Sequence, residues 1–574
     1  MRVSPATRPL DAGGPNLLVK EDWQRVFAGS SRPGFERKLA EYLPKRRWFG
    51  SKARNIARAR VLDALRLSGT SDVLTLVRVR FEGGARETYL LPLAFVSGSR
   101  AAALERAFPD AVVTRLSMAR SGSVIDGILY DAVYDPSFAP ALLEIISGRR
   151  RLKGKRGVAR GTTTRKFRQL WPRSGPVYCR LLGQEQTNTS ILIGDRFILK
   201  LIRKVETGVN PELELGRFFA RKSVRVRVPP LAGALELHRE ETEPSTLAIL
   251  QGFIASEGDA WTYSLKRMRR LFADVLSGRD LEPPPPTSIL ELSAQKPSRD
   301  ACEAMGDYLD WARLLGTRTA ELHRMLGAGS RDPSFAPEPL SPAYGRSLHR
   351  SLRSLTAEVF RALRQRLAEL PRELRVDADL LLAREGELLR RFRAIPEREL
   401  RGRRIRGHGD LHLGQVLCTG DDFVILDFEG EPARPLRERR EKHTPLRDVA
   451  GMLRSFHYVA FAALEGETKA GGERAGELRR LEPAARFGWR WSAAAFLRGY
   501  LDLASSGDLL PRSRAEIAFL LDLLLLEKPI YEMGYELNHR PAWLGIPIQA
   551  VLEALDAGLK PGETSRGDAG GMEK

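Results

Sequence analysis

Two neighbouring segments decide the fold of this chain: HGDLHLGQVL at residues 408–417 and FVILDFEGEP at residues 423–432. The first carries Asp410 in a glycine-containing loop, and the amide residue Gln415 follows five positions later. The second begins with strand composition and continues into Asp427. Phosphoryl transfer needs a carboxylate that accepts the proton of the acceptor hydroxyl, and oxygen ligands that hold Mg²⁺ on a triphosphate. The spacing therefore predicts Asp410 as the catalytic base and Gln415 and Asp427 as metal ligands.

Two features of this region have alternative explanations. A histidine and an aspartate in a glycine-rich turn often cap a loop, but capping explains neither the spacing nor the acids that follow. Glu429 stands two positions after Asp427, so it is a candidate for a further metal ligand. An ion pair with one of the nearby arginines explains Glu429 equally well.

Composition narrows the class of protein. The chain has 574 residues, of which 43% are hydrophobic, so it has material for more than one core and is not a disordered protein. Lys and Arg number 93 against 72 Asp and Glu, and a net charge of +21 favours a phosphate-bearing partner. The excess is spread along the chain, whereas nucleic-acid-binding arms concentrate their charge. A nucleotide is therefore favoured over nucleic acid.

Three features that the sequence lacks indicate the cellular compartment of the protein. The three cysteines are far apart and form no CxxC motif, which fits a reducing compartment. The first residues have no apolar core of a signal peptide, and the longest apolar stretch, at 517–526, is too short to span a bilayer. We predict a cytoplasmic protein without a membrane partner.

The pattern of elements predicts four regions. Short strand-like runs predict an α+β cap module, and a hairpin turn is expected at Gly83-Gly84. Five further strands and one helix predict a small lobe, preceded by a basic Gly/Thr-rich loop or hinge at 148–165. Leu/Ala/Arg/Glu-rich stretches predict a helical lobe, which contains the catalytic loop. The predicted boundaries are 1–140 for the cap, 141–255 for the small lobe with an intermediate segment, 256–560 for the helical lobe and 561–574 for a disordered tail.

A strand lysine and a helix glutamate are expected to bind nucleotide phosphates in the small lobe. Lys200 lies on a predicted strand, from which a cation could reach the α- and β-phosphates, and a glutamate of the following helix should hold it. Asn210 is the predicted N-cap of that helix. Glu212 and Glu214 are the alternatives for the partner. We prefer Glu214, because stabilisation of the helix N-terminus already explains Glu212.

The motifs together resemble a known family. HGDLH with the downstream DFE resembles the aminoglycoside-phosphotransferase-like branch of the protein-kinase-like fold, which implies a bilobal α+β protein. HGDLHLGQVL, DFEGEP, LRDVAGMLRSFHY at 446–458, YEMGYELNHRPAW at 531–543 and LPKRRWFGSKAR at 43–54 are similar to bacterial maltokinases. The resemblance covers most of the chain. It implies ATP- and Mg²⁺-dependent phosphorylation of maltose to maltose 1-phosphate by a free-standing enzyme, with trehalose synthase as a possible associate.

The resemblance also implies contacts for the nucleotide. The loop 182–190 stands where a glycine-rich loop covers the phosphates in other kinases, although GxGxxG is absent. Its implied phosphate-binding residues are Gln186, Thr187, Asn188, Thr189 and Ser190. The strand end LQGFI, with Gln251 and Phe253, suits the hinge that binds adenine. A polar hairpin tip and an ordinary buried strand end explain these two segments equally well.

The acceptor site is expected in the segment 527–547. Tyr531 and Tyr535 are four residues apart, so they share a helix face, and Lys528 precedes Glu532 by one turn. Sugars bind flat aromatic surfaces and groups that hydrogen-bond hydroxyls. With the resemblance, the predicted sugar-binding residues are His412, Lys528, Tyr531, Glu532, Tyr535, Arg540 and Trp543. A core helix whose charges pair among themselves is the alternative.

Three further segments have predicted structural roles. The basic run 433–445 is expected to be a solvated face rather than a phosphoryl-binding site. Asp448, on a helix with an apolar stripe, is expected to brace the catalytic loop. Trp48 and Phe49 are expected to anchor a helix end to a core.

Two other functions compete with a maltose kinase. A glucosamine or aminoglycoside kinase of the same fold would need additional acids around the ammonium groups of its substrate. A non-catalytic basic protein on a kinase scaffold is disfavoured, because Lys200, Asp410 and Asp427 are all present.

Overall fold

The computed structural model describes residues 17–557, except residues 53, 121, 172–177, 184–186, 223–226 and 471–474. The chain forms two compact units. Residues 1–223 and 229–254 make the first unit, and residues 224–228 and 255–574 make the second. The predicted tail at 561–574 and the predicted phosphate ligand Gln186 lie outside the described residues.

A six-stranded mixed sheet forms the N-terminal cap in the order β1-β5-β6-β4-β3-β2. The tight turn between β3 and β4 contains Gly83 and Gly84, whose φ angles of 87° and 89° suit glycine, as the sequence predicted. The strands are β1 Leu17–Lys20, β2 Ile56–Arg66, β3 Val73–Phe81, β4 Arg86–Ser97, β5 Val112–Arg120 and β6 Ser123–Asp131. Helices α1 Arg32–Tyr42 and α2 Gly98–Ala107 accompany them.

A seven-stranded antiparallel sheet follows in the same unit, in the order β7-β8-β12-β13-β11-β10-β9. Its strands are β7 Arg151–Lys153, β8 Val158–Thr163, β9 Cys179–Leu182, β10 Thr189–Ile193, β11 Phe197–Leu201, β12 Leu231–His238 and β13 Ser245–Gly252. The helices are α3 Phe138–Ser147, α4 Arg165–Leu170 and α5 Pro211–Ala220. The five predicted strands and the helix after Asn210 are confirmed.

The prediction of a loop at 148–165 is wrong, because this stretch supplies β7 and β8. The small residues of this stretch allow close packing and do not indicate a flexible loop. A Cβ atom at Gly161 would lie 2.3 Å from the carbonyl oxygen of Ile145 in α3, so only glycine lets β8 approach that helix backbone.

The second unit is mostly helical, as predicted. Two small pairings interrupt the helices: β14 Gly258–Asp259 with β17 Val416–Cys418 and β18 Phe423–Ile425, and β15 Glu338–Pro339 with β16 Arg403–Arg404. The helices are α6 Ala260–Leu276, α7 Ile289–Ala294, α8 Arg299–Met305, α9 Tyr308–Leu326, α10 Pro342–Arg366, α11 Arg372–Ala383, α12 Glu385–Arg393, α13 Leu436–Arg439, α14 Leu446–Ala470, α15 Ala475–Ala504, α16 Arg514–His539 and α17 Gly545–Ala557.

Helices α9 and α15 pack in direct backbone contact. A Cβ at Gly316 would meet the carbonyl oxygen of Phe496 at 1.9 Å, and a Cβ at Gly499 would meet that of Arg313 at 2.0 Å. Because both glycines lack this atom, the helices approach closely enough for His323 of α9 to reach Tyr500 of α15. In the part of the chain that the structure describes, we find no helix with the length and apolarity needed to cross a bilayer.

Candidate active site

The loop that carries Asp410 is held by a buried aspartate. Asp448 of α14 accepts backbone N–H bonds from His408 at 2.7 Å and from Gly409 at 2.9 Å. Gly409 has φ of 84°, which favours glycine at this turn. His408 fixes the other side of the loop, because its Nε2 donates to the carbonyl of Leu426 at 2.6 Å. The predicted bracing role of Asp448 is confirmed.

Asp448 is itself supported from two other helices. His323 Nε2 donates to Asp448 Oδ2 at 3.1 Å, and the hydroxyl of Tyr500 donates to His323 Nδ1 at 3.0 Å. Burial would raise the pKa of Asp448, but the hydrogen bond from His323 and the electrostatic effects of His323 and His408 lower it to about 2. The carboxylate is therefore ionised when it holds the loop.

Asp410 lies in a cleft of the second unit beside Lys528. The ammonium nitrogen of Lys528 lies 2.9 Å from Asp410 Oδ1 and 2.9 Å from Glu431 Oε1. Gly409, Leu411 and Tyr531 also line this cleft. A carboxylate in such a position can accept a proton from a bound hydroxyl.

Gln415 and Asp427 are brought together as the sequence predicted for metal ligands. Gln415 Nε2 donates to Asp427 Oδ2 at 2.9 Å, which leaves the Gln415 carbonyl oxygen as its ligand atom. Asp427 has φ of 58°, a left-handed conformation rare outside glycine and tolerated best by Asp and Asn. One carboxylate oxygen of Glu429 lies within 4.8 Å of one of Asp427. These hard oxygen donors fit Mg²⁺.

Glu429 also has an arginine neighbour. Its Oε2 lies 3.9 Å from Arg439 Nη1, so the ion pair considered from the sequence is present. An ion pair of this length does not prevent Glu429 from acting as a ligand.

The predicted acceptor residues on α16 and after it have ionic and aromatic partners. Arg454 pairs with Glu532 at 2.8 Å, and Arg540 pairs with Glu536 at 2.7 Å. The guanidinium of Arg540 lies 5.5 Å from the ring centre of Tyr535 and 5.2 Å from that of Trp543. The segment therefore combines paired charged side chains with aromatic rings.

His412 stands two residues after Asp410 in the same loop. Its Nδ1 accepts the N–H of Gly414 at 3.1 Å, so the proton of the neutral ring lies on Nε2. Burial lowers the pKa of His412, and Asp410 opposes this shift. At neutral pH the ring is a neutral donor.

In the first unit, Lys200 of β11 pairs with Glu212 of α5. The two side chains are 7% and 3% exposed, and Nζ lies 2.9 Å from Glu212 Oε2. Gln251 Nε2 donates to the other oxygen, Oε1, at 3.1 Å. Our preference for Glu214 is wrong. Asn210 caps the helix by accepting the Glu212 N–H, and this directs the Glu212 side chain towards β11 while it also stabilises the helix N-terminus.

The phosphate-loop residues at the start of β10 are mostly buried. Asn188 Oδ1 accepts the N–H of Arg203 at 3.3 Å, and Thr189 Oγ1 accepts its Nε–H at 2.8 Å. Ser190 is buried opposite Lys200 in the β10–β11 register, and Thr187 is exposed. At the strand end, Phe253 N–H donates to the Arg196 carbonyl at 2.7 Å. Nucleotide contacts by these residues stay predictions.

The predicted solvated face at 433–445 is wrong for three of its cations. Arg434 pairs with Glu431 and Glu527, Arg439 with Glu429, and Lys442 with Glu338. The side chains of these three cations are largely buried. Sequence reasoning also missed Glu431 as a partner of Lys528, although the residue is the third acid of the DFEGEP motif.

Two regions of the chain match models of known families. Residues 42–135 match the maltokinase N-terminal cap domain, and residues 179–430 match the phosphotransferase enzyme family. The fold is that of the aminoglycoside-phosphotransferase-like kinases, with an N-terminal α+β cap, as the sequence predicted. The chain thus carries a phosphotransferase-family domain that follows a maltokinase-type cap domain.

Among curated proteins, the chain is similar to two glucosamine kinases. It is 26% identical to that of Mycolicibacterium smegmatis over 66% of this chain and 80% of the relative. It is 25% identical to that of Streptacidiphilus jiangxiensis over 66% and 73%. A solved glucosamine kinase with glucosamine, ADP and inorganic phosphate matches 90% of this chain and 98% of its own, with a TM-score of 0.54 and 18% identity. This structural likeness supports the fold alone.

Proposed function

We propose that this chain transfers the γ-phosphoryl group of ATP to the anomeric hydroxyl of maltose, producing maltose 1-phosphate and ADP. The observation that carries the proposal is the position of Asp410 in one cleft with Lys528 and Tyr531 of α16. A base for a hydroxyl and side chains suited to a sugar thus share a single cleft. The match of residues 42–135 to the maltokinase cap favours maltose among neutral sugars.

In the proposed reaction, Asp410 accepts the proton of the anomeric hydroxyl. The sugar oxygen attacks the γ-phosphorus, the bond to the β–γ bridging oxygen breaks, and ADP leaves with that electron pair. Asp448 keeps the loop in place through the N–H groups of His408 and Gly409.

Separate sets of residues are proposed for the metal and for the nucleotide. Gln415, Asp427 and Glu429 would hold Mg²⁺, which when bound neutralises charge on the transferred group. Lys200, oriented by Glu212, would bind the nucleotide phosphates. Thr187, Asn188, Ser190 and the undescribed Gln186 would complete the phosphate contact, and Gln251 and Phe253 would border the adenine.

The sugar would be bound by rings and by hydrogen-bonding groups. Tyr531 and Tyr535 offer apolar faces to the C–H side of the pyranose, and His412 donates from Nε2. Glu532, Lys528, Arg540 and Trp543 complete the proposed site. The proposal includes a cytoplasmic location for the protein and its association with trehalose synthase.

A glucosamine kinase is the second candidate. Two curated relatives carry that name, at 26% and 25% identity. The two candidates require different charges around the acceptor, because glucosamine carries an ammonium group.

A coupled assay of ADP release tests the proposal on maltose, glucose, trehalose, maltotriose and glucosamine. We expect maltose to be turned over fastest, with NMR placing phosphate on the anomeric carbon. Trehalose should not react at this carbon, because both of its anomeric positions are blocked. A 6-phosphate of maltose, equal turnover of trehalose, or a preference for glucosamine would contradict the proposal and leave the phosphotransferase class intact.

A further inference from the structure

The ammonium group of Lys528 lies between two carboxylates of the cleft. Its nitrogen is 2.9 Å from Asp410 Oδ1 and 2.9 Å from Glu431 Oε1, and 5.1 Å from the ring centre of Tyr531. The side chains of Lys528 and Glu431 are 18% and 5% exposed. Burial would lower the pKa of Lys528, but Asp410 and Glu431 raise it above its usual value. Lys528 is therefore charged at neutral pH.

The neighbouring acids are neutralised by cations of the chain as well. Arg434 contacts both Glu431 and Glu527, and Arg447 contacts Glu527. Further along α16, Arg454 pairs with Glu532 and Arg540 with Glu536. Among the residues that the structure describes, the cleft acids Asp410, Glu431 and Glu527 and the α16 acids Glu532 and Glu536 thus each have a cationic partner.

This charge pattern suits one class of acceptor. A substrate ammonium that leaves water needs carboxylate charge that is not already balanced, and another ammonium at short range repels it. A sugar hydroxyl has no such requirement, because it accepts from an ammonium and donates to a carboxylate. The environment of Asp410 therefore favours hydroxyls over ammonium groups.

We propose that Lys528 is a specificity-determining residue whose ammonium takes the place between Asp410 and Glu431 that the ammonium of an amino sugar would need. The cleft consequently selects neutral acceptors. This inference rests on the proposed function, since it deepens the choice between a neutral sugar and an amino sugar at the same site.

The test compares two acceptors that differ in one group, maltose and 2-amino-2-deoxymaltose. In Lys528→Gln, the ratio of kcat/KM for the amino derivative to kcat/KM for maltose should rise by about 10- to 100-fold over wild type, because the repulsion between two ammonium groups is removed. Lys528→Arg keeps the charge and should leave the ratio low. Lys442→Gln is the matched control, because Lys442 pairs with Glu338 away from the cleft, and the ratio should not change.

A second measurement tests the inference on the wild-type enzyme, in case the Lys528→Gln variant does not fold or has no activity. With wild-type enzyme, 2-amino-2-deoxymaltose should inhibit maltose phosphorylation about tenfold more weakly than 2-deoxymaltose, which lacks the charge. Equal inhibition, or an unchanged ratio in a folded and active Lys528→Gln enzyme, would overturn the inference. Failure of the wild-type enzyme to phosphorylate any neutral sugar would instead overturn the proposed function.

Discussion

Asp410 has two kinds of neighbours, since its backbone loop is fixed by Asp448 while its carboxylate contacts Lys528. Asp410→Asn retains shape and hydrogen bonding but removes the basic oxygen. We expect kcat to fall by about 10²- to 10⁴-fold, the usual contribution of a general base, with little change in ATP affinity or melting temperature. Steady-state kinetics with a nucleotide titration checks this. A variant that kept more than half the wild-type rate would show that Asp410 is not the base.

The proposed metal ligands differ in charge, and the difference predicts their sensitivity. Asp427→Ala removes a charged oxygen ligand, so Mg²⁺ should no longer support turnover even at saturating ATP. Gln415→Ala removes a neutral carbonyl and should be milder, with activity partly restored by higher Mg²⁺. The measurement is kcat as a function of Mg²⁺ concentration. Greater sensitivity at Gln415 than at Asp427 would contradict the ligand assignment.

Asp448 should make stability depend on pH. Its pKa falls from the ordinary 3.8 to about 2 in the folded chain, so the carboxylate stabilises the fold above about pH 4, and this stability is lost as the pH falls towards 2. Asp448→Asn should cost about 2 kcal/mol at pH 7. Melting temperatures measured at pH 7 and pH 3 test the direction of this pH dependence. The difference in melting temperature between wild type and Asp448→Asn should be smaller at pH 3 than at pH 7. A constant gap would exclude the ionised form as the cause.

At the scale of elements, strand β11 and helix α5 act through the Lys200–Glu212 pair. Glu212→Gln removes a charged partner of the buried ammonium, so we expect the KM for ATP to rise by about tenfold or more. Glu214→Gln is the matched control on the same first turn, and its effect should be smaller. KM values for ATP at saturating sugar decide between them. An equal or larger effect at Glu214 would restore the partner that the sequence suggested.

At the scale of the whole molecule, the two sheets of the first unit are joined through a buried arginine. Arg203 follows β11 and pairs with Asp131 at the end of β6 at 2.7 Å, with exposures of 1% and 2%. Its guanidinium lies 4.6 Å from the ring centre of Trp48, and the next residue in the chain, Phe49, is fully buried. The cap and the seven-stranded sheet therefore share buried contacts around one cation.

Trp48 should accordingly act on stability rather than on nucleotide binding. Trp48→Ala removes a large buried ring, so we expect a loss of about 3–5 kcal/mol and a lower melting temperature before any change in the KM for ATP. Thermal unfolding and kinetics on the same preparation check the order of these effects. A raised KM without lost stability would identify an anion site at this position.

The sequence by itself determined the elements whose signals are local. The spacing of Asp410, Gln415 and Asp427 depends on one hairpin, and the N-cap at Asn210 depends on its own helix, so both were readable from adjacent residues. The apolar stripe of α14 was equally local, and its residues are all buried, namely Leu446, Val449, Leu453, Phe456 and Ala460.

Only the tertiary structure decided which charges meet. The partner of Lys200 depends on the direction in which a helix N-terminus points. Arg434 pairs with Glu527 and Lys442 with Glu338, acids that lie far from them in the sequence. β8 gains hydrogen bonds from β12 and close packing from α3, and β7 pairs with β8, so a Gly/Thr-rich composition could not reveal these strands. Lys528 lies 118 residues from Asp410 in the chain. The pairing of Lys528 with Asp410 is set by long-range packing, because the fold brings the two opposite charges together in a partly buried place.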